Sequence, residues 1–146
     1  MTEIEFHVNV ADKLHYSCRL LRKVLRSGAK AVVTAEAELL AQLDQLLWQF
    51  STTEFVPHCL SNAPAHTVAV TPVLLSAQLD GCAADSVLIN LGQRVPGNFE
   101  RFERFIEVAS DLPDDLVSAR ARWKHYKDRG YALSRYDVVS KAQTAH

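Results

Sequence analysis

Cysteine is scarce in this sequence, and its three copies lie far apart. Cys18, Cys59 and Cys82 form no closely spaced pair, whereas disulfide frameworks and structural zinc sites are built from paired cysteines. The sequence therefore predicts neither, and a reducing, cytoplasmic setting is the simplest interpretation. No apolar run reaches the roughly 18–20 residues that span a bilayer, and the first residues lack the pattern of a secretory signal. We expect no contact with a membrane.

An excess of charge of one sign is also lacking. The chain has 16 Lys+Arg and 17 Asp+Glu, for a formal net charge of −1. This balance argues against a protein that coats nucleic acid through bulk positive charge. Of its 146 residues 48% are hydrophobic, which excludes a disordered chain. We expect one domain over 1–146, with about 137–146 as a frayed tail.

The N-terminal half predicts two strands that alternate with two helices. The first strand has an apolar residue at every second position, namely Ile4, Phe6, Val8 and Val10. A helix follows the cap residue Asp12 and ends at Gly28, with the apolar stripe Leu14, Cys18, Leu21 and Leu25. The apolar segment 31–35 predicts a buried strand. The apolar positions of the next helix include Leu39, Leu43, Leu46 and Phe50, with Leu40 and Leu47 beside them.

The C-terminal half predicts further elements of both kinds. Pro72 interrupts the segment 67–75, which we place at a sheet edge or break there. Segment 86–91 predicts another buried strand, and Asn98 is expected to cap a helix with the apolar face Phe99, Phe102, Ile106 and Ala109. A last helix is predicted from about 114 to 129, before Gly130. The whole is an α/β three-layer domain, with helices on both faces of a mostly parallel sheet.

A strand, helix and strand at the start of a chain raise the hypothesis of nucleotide binding. Phosphate cradles place glycines between the first strand and the first helix, but the turn at 9–13 has none and contains the acidic Asp12. The scattered histidines give no metal-ligand spacing, and His58 and Cys59 point to opposite sides of an extended segment. We therefore expect no phosphate-binding loop, no metal and no cofactor. A nucleotide-binding Rossmann-like enzyme is the alternative.

Positive charge is concentrated at the two ends of the chain. Residues 31–118 have 3 basic and 12 acidic side chains, residues 119–146 have 7 and 2, and residues 1–30 have 6 and 3. In the first helix the basic residues lie opposite the apolar stripe: Arg19, Arg22, Lys23 and Arg26.

In the last helix Arg120, Lys124 and Lys127 share one face, and Trp123 lies beside them. Cations next to an indole can bind a ligand that is both anionic and apolar, such as an acidic peptide end or single-stranded nucleic acid. The alternative is a solvated basic face with Trp123 in the core.

A second group of candidate residues is apolar. Trp48 lies off the stripe of its helix, and Phe55, Val56 and Pro57 fall in a turn-rich connection. Any one of them can simply cover the core. Several together favour an exposed anchor for another protein.

Several segments together resemble one known family. Leu43-Asp44-Gln45-Leu46-Leu47-Trp48, followed by Glu54-Phe55-Val56-Pro57-His58, is similar to the chi subunit of bacterial DNA polymerase III holoenzyme. The run from Ala119 to Lys127, with Gly130-Tyr131 after it, matches the same family. The strand at 87–91 and the expected helix at 99–108 agree in order and spacing. The resemblance spans nearly the whole chain.

The resemblance implies a non-catalytic accessory subunit with a Rossmann-like domain. Such a subunit pairs with the psi subunit of the clamp loader, and it binds the acidic C-terminal tail of single-stranded DNA-binding protein (SSB), which ends in Pro-Phe. It thus reaches DNA indirectly, through SSB. The resemblance assigns tail binding to Arg120, Trp123 and Lys124, with Lys127 on the same face. It assigns psi binding to Trp48 and Phe55, with Val56 and Pro57 in the same segment.

Overall fold

The computed structural model describes residues 2–49 and 55–139. Its helices are α1 (Lys13–Arg26), α2 (Ala37–Gln49), α3 (Ala65–Val70) and α4 (Pro113–Asp128), with a short 3-10 helix at Phe99–Arg101. Its strands are β1 (Glu3–Val10), β2 (Ala31–Thr34), β3 (His58–Leu60), β4 (Val73–Leu75), β5 (Val87–Asn90), β6 (Arg104–Ser110) and β7 (Ala132–Asp137). The predictions for Phe50 and for the tail beyond 139 lie outside the described residues.

The seven strands form one parallel sheet in the order β3-β4-β2-β5-β6-β1-β7. Parallel strands need crossover connections, and α1, α2, α3 and α4 lie in those from β1 to β2, β2 to β3, β3 to β4 and β6 to β7. Strand β1 lies between β6 and β7, so the two ends of the chain are joined in the sheet. The strands β3 and β7 are its two edges.

Helices cover both faces of the sheet, as predicted. On one face α1 and α2 bury Cys18, Leu21, Leu43 and Leu47 against the strands. On the other face, α4 and the 3-10 helix pack Tyr126 and aromatic residues of the 99–105 segment over β1, β5 and β6. The structure is thus the expected three-layer, Rossmann-like α/β domain.

The prediction of a helix at 99–108 is wrong. Only Phe99–Arg101 is helical, as a single 3-10 turn, and β6 begins at Arg104. Phe99 and Phe102 are buried from the turn, and Phe105 from the strand. The apolar residues of the 3-10 turn and of β6, read as one segment, have the three- and four-residue spacing of a helix face. The predicted helix is therefore a junction of two different elements.

Pro72 does not mark a sheet edge, but the predicted break of the segment 67–75 is confirmed, since α3 ends at Val70 and β4 begins at Val73. It stands immediately before β4, which lies inside the sheet between β3 and β2. Its carbonyl oxygen accepts a hydrogen bond from the backbone N–H of Ala31 at 2.9 Å. A proline can begin an inner strand in this way, because only its missing N–H would conflict with the ladder.

Strand β1 changes faces near its end. Ile4, Phe6 and Val8 belong to the core beneath α4, whereas Val10 belongs to the core beneath α1 and α2. The pairing with β6 shifts register between His7 and Val10, and Asn9 has a left-handed φ of 61°. Such a bulge adds a residue and turns the next side chain to the opposite face. Strict alternation does not anticipate it.

The three cysteines are free thiols, in agreement with the prediction of no disulfide. In the part of the chain that the structure describes, no helix is long and apolar enough to cross a membrane.

Candidate interaction surfaces

An exposed aromatic patch lies at the β3 edge of the sheet. We define it as Trp48, at the end of α2, and Phe55, before β3. Their rings are 5.0 Å apart between centroids, and the two residues are 62% and 42% exposed. Large apolar side chains that remain in water together are typical of protein-binding sites. The prediction that Trp48 lies off the buried stripe of its helix is confirmed.

His58 supports the aromatic patch from below. Its ring centroid lies 5.1 Å from that of Trp48 and 5.7 Å from that of Phe55. Because a carbonyl oxygen only accepts, Nδ1 of His58 donates to Val56 O at 2.7 Å. Nε2 lies 3.1 Å from a carboxylate oxygen of Asp44 on α2. The Val56 hydrogen bond and the Asp44 carboxylate orient the buried imidazole, and the two rings of the patch pack against it.

The structure does not bring all four predicted apolar residues to the surface. Pro57 is exposed, but Val56 is only 1% exposed and packs into the core beneath α1 and α2. Sequence reasoning missed the supporting pair Asp44 and His58. A polar residue one turn before Trp48, and a histidine directly after Pro57, were the available signals.

A basic ridge runs along the outer face of α4. We define it as Arg120, Lys124 and Lys127, all three exposed. At 3.6 residues per turn they fall within about 60° of arc and about 10 Å of helix length. The structure thus brings together the three cations that the sequence predicts on one face.

Trp123 lies at the border between the basic ridge and the core. It is partly buried, and its ring meets that of Phe6 edge to face, with centroids 5.1 Å apart. Neither sequence interpretation describes it fully, since one side of the indole packs inward while the residue keeps some exposure. An amphipathic ring of this kind can serve both roles.

The inner face of α4 holds a buried polar network around Glu107 of β6. The carboxylate accepts from Arg122 Nε at 3.1 Å, from Asn90 Nδ2 at 2.9 Å and from the Tyr126 hydroxyl. Burial raises the pKa of Glu107 to about 7, while Arg122, Tyr126 and Asn90 oppose the rise. Sequence reasoning missed this network, because it assigned Glu107 to a helix. A lone charge inside an apolar strand was the signal.

The position where nucleotide-binding folds cradle phosphate is occupied by protein groups. The Asp12 carboxylate accepts the backbone N–H groups of Leu14 and His15 at 3.1 and 3.2 Å. Lys13 Nζ donates to Leu91 O at 2.7 Å and to Asp115 at 3.0 Å, and so bridges the carboxyl edge of the sheet. These donors are the ones a phosphate would need. Among the described residues, no group of three or more potential ligands could hold a metal.

Asp115, in the first turn of α4, is bonded to two other elements. It is 3% exposed, and besides Lys13 it accepts the backbone N–H of Ser110 at 2.6 Å. Burial opposes the ionisation of Asp115, but the Ser110 and Lys13 contacts outweigh it and lower its pKa. It therefore joins α4 to α1 and β6 as a structural ion pair.

Comparison with known proteins identifies the family. Residues 1–134 match the family model described as "DNA polymerase III chi subunit, HolC". The chain belongs to the DNA polymerase III chi subunit family. The chain is 30% identical over 138 residues to the DNA polymerase III subunit chi of Pseudomonas aeruginosa, covering 91% of this chain and 94% of the relative. It is 32% identical over 124 residues to that of Haemophilus influenzae, covering 84% and 85%.

The resemblance seen in the sequence is thereby confirmed. Membership of the chi family implies an accessory role in DNA replication, within the polymerase holoenzyme. In this chi-family fold, the aromatic patch lies at one edge of the sheet. The basic ridge lies on a helix that packs over β6 and β7, nearer the other edge.

Proposed function

We propose that this chi-family chain is a non-catalytic coupler with two protein partners. The aromatic patch binds the psi subunit of the clamp loader, and the basic ridge binds the acidic C-terminal tail of SSB. The replicase is thereby linked to single-stranded template coated with SSB.

The aromatic patch has the properties of a protein anchor. Trp48 and Phe55 offer two large rings that are exposed together, and the His58 ring holds them from below. Rings already fixed in position lose little conformational entropy when a partner covers them. Tryptophan is also among the residues that contribute most to binding energy at interfaces. These features favour a persistent partner with an apolar face, the role that we propose for psi.

The basic ridge has the properties of a site for an acidic chain end. Charge-assisted hydrogen bonds from Arg120 or Lys124 to a terminal carboxylate contribute about 1.5–3 kcal/mol each. The partly exposed Trp123 lies next to these cations and can contact the phenylalanine ring of the tail. A local ridge also steers an acidic partner electrostatically, even on a protein of near-zero net charge.

We propose no catalytic role, because the polar groups that could bind a cofactor or act on a substrate are already bonded to other groups of the protein. Asp12 and Lys13, which stand where a cofactor phosphate would bind, are engaged by α1, Leu91 and Asp115. The buried Glu107 is likewise satisfied by three donors.

The observation that carries the proposal is the exposure of two surfaces of unlike chemistry on separate parts of one fold. The test compares the binding of both partners by two double variants, Arg120→Ala/Lys124→Ala and Trp48→Ala/Phe55→Ala. We expect the first to lose at least tenfold in affinity for an SSB tail peptide and to bind psi normally. We expect the second to lose psi and to keep the peptide.

Isothermal calorimetry at low salt measures the peptide, and co-purification with psi measures the other contact. Each double variant serves as the folded control of the other. Wild-type affinity for the peptide in the α4 variant, or normal psi binding in the aromatic variant, would refute the corresponding half of the proposal.

A further inference from the structure

A basic groove lies between α1 and the β7 side of the sheet, apart from both surfaces described above. We define it by Arg19 and Lys23 on α1 and by Arg104 at the start of β6. The cleft has a volume of about 520 Å³ and is also lined by His7, Tyr16 and Tyr136. This volume lies within the range of about 300–1,000 Å³ that is usual for organic ligands.

The side chains that line the basic groove carry a net positive charge, and the cations are exposed to solvent. Arg19 and Lys23 are exposed one helical turn apart, and the Arg104 side chain is 55% exposed. Glu5 is the acidic residue among the described lining residues, and its charge is partly compensated. Its carboxylate lies 3.9 Å from Arg104 Nη2. The groove therefore attracts anions.

Aromatic rings form the inner wall of the basic groove. The Tyr16 hydroxyl is hydrogen-bonded to His7 Nδ1, and the Tyr136 ring lies 5.1 Å from the His7 ring at an angle of 31°. Burial raises the pKa of Tyr16 to about 12, so its ring stays uncharged at neutral pH. Both tyrosines keep partial exposure. The wall thus presents flat, neutral rings next to cations.

We propose that the basic groove binds single-stranded DNA directly. Phosphates contact Arg19, Lys23 and Arg104, and a base stacks against the exposed part of Tyr16 or Tyr136. Cations that follow the backbone, combined with rings that stack on bases, are the combination that sequence-independent single-strand binders use. An acidic peptide offers a flat ring only where it carries an aromatic residue, whereas every nucleotide of single-stranded DNA supplies both a phosphate and a flat base.

This activity goes beyond the proposed function, in which DNA is reached only through SSB. The groove lies under α1, on the opposite face of the sheet from α4. Binding there can therefore be removed without altering the basic ridge. The near-zero net charge of the chain is compatible with DNA binding, because the contact depends on the local cluster of Arg19, Lys23 and Arg104.

The test uses a fluorescently labelled oligothymidylate and its anisotropy at low salt. We expect Arg19→Ala/Lys23→Ala to weaken binding at least tenfold. Each lost phosphate contact should lower the slope of log K against log salt by about 0.7, or about 1.4 for two. The control Arg120→Ala/Lys124→Ala removes the same charge from α4 and should bind the oligonucleotide as the wild type does. An abasic oligomer of equal length should bind the wild type several-fold more weakly.

Three results would overturn the inference. The first is no binding of the oligothymidylate by the wild type at low salt. The second is an equal loss in the two double variants, which would mean non-specific attraction. The third is that Arg19→Ala/Lys23→Ala binds an acidic peptide more weakly than the wild type does but binds the oligonucleotide equally well. The groove would then be a peptide site.

Discussion

Glu107 is fully buried in β6, and its environment decides its charge. Burial raises its pKa from the ordinary 4.5 to about 7, against the opposing effect of Arg122, Tyr126 and Asn90. Between these two values the folded protein holds a proton that the unfolded chain has released. Glu107 therefore contributes stability that is present below about pH 4.5 and is lost as the pH rises through about 7. His7 acts in the opposite direction, since burial lowers its pKa.

Because these two groups oppose each other, the prediction concerns a difference between two proteins. Glu107→Gln keeps a hydrogen-bond acceptor and removes the titration. We expect the stability of the variant relative to the wild type to increase as the pH rises from about 4.5 to about 7, by at most about 1.4 kcal/mol per pH unit. Urea unfolding of both proteins across this range measures it. A difference that stays constant with pH would show that the pKa of Glu107 is the same in the folded and unfolded chains.

At the scale of the element, α4 has two charged faces with different tasks. Arg120 is exposed on the basic ridge, whereas Arg122 is 2% exposed and bonded to Glu107 and Ser118. Removing Arg122 leaves a buried charge uncompensated only well above pH 7, where Glu107 is ionised, and there the cost is about 3–5 kcal/mol. Removing an exposed charge changes stability by no more than about 0.5 kcal/mol.

Two arginines of the same helix therefore make a matched pair of variants. Well above pH 7, where Glu107 is ionised, we expect Arg122→Ala to lower the free energy of unfolding by about 3–5 kcal/mol and Arg120→Ala to leave it nearly unchanged. Chemical denaturation monitored by circular dichroism measures both. Equal effects would contradict the division of α4 into a structural and an exposed face.

The elements differ in how far the sequence predicts them. The continuous apolar run of β2 is confirmed, and in α1 the predicted Cys18 and Leu21 are buried. In α2 the stripe is displaced by one position: Leu40, Leu43 and Leu47 are buried, whereas the predicted Leu39 and Leu46 are only partly buried. The segment 99–110 was misassigned, because a 3-10 turn followed by a buried strand has no period of its own. Strand β7 was missed because its exposed edge carries few apolar residues. Its place depends on pairing with β1, at the other end of the chain.

The candidate surfaces were predictable to a similar degree. Helical spacing alone places Arg120, Lys124 and Lys127 together. It cannot show that Val56 turns inward, because that depends on the core under α1 and α2. The basic groove needed the fold as well, since Arg19 and Arg104 are distant in the sequence and meet only through the sheet.

At the scale of the whole molecule, the strand order separates the two proposed protein contacts. The aromatic patch rests on His58 of β3, and α4 packs on β6 and β7 on the opposite face from α2. Four strand spacings between β3 and β6 amount to about 19 Å. The two surfaces share no described residue, so one ligand can alter the affinity of the other only by changing the fold between them.

We therefore expect the two partners to bind independently. The affinity for psi, measured by calorimetry, should be the same within twofold with and without a saturating SSB tail peptide. Rising salt should lower the affinity for the peptide, whose contacts are ionic, much more than the affinity for psi, whose contacts are apolar. The Arg120→Ala/Lys124→Ala variant controls for any direct effect of the peptide on psi. A change in psi affinity of more than about fivefold, or about 1 kcal/mol of coupling, would mean that the sheet transmits the binding of one partner to the other.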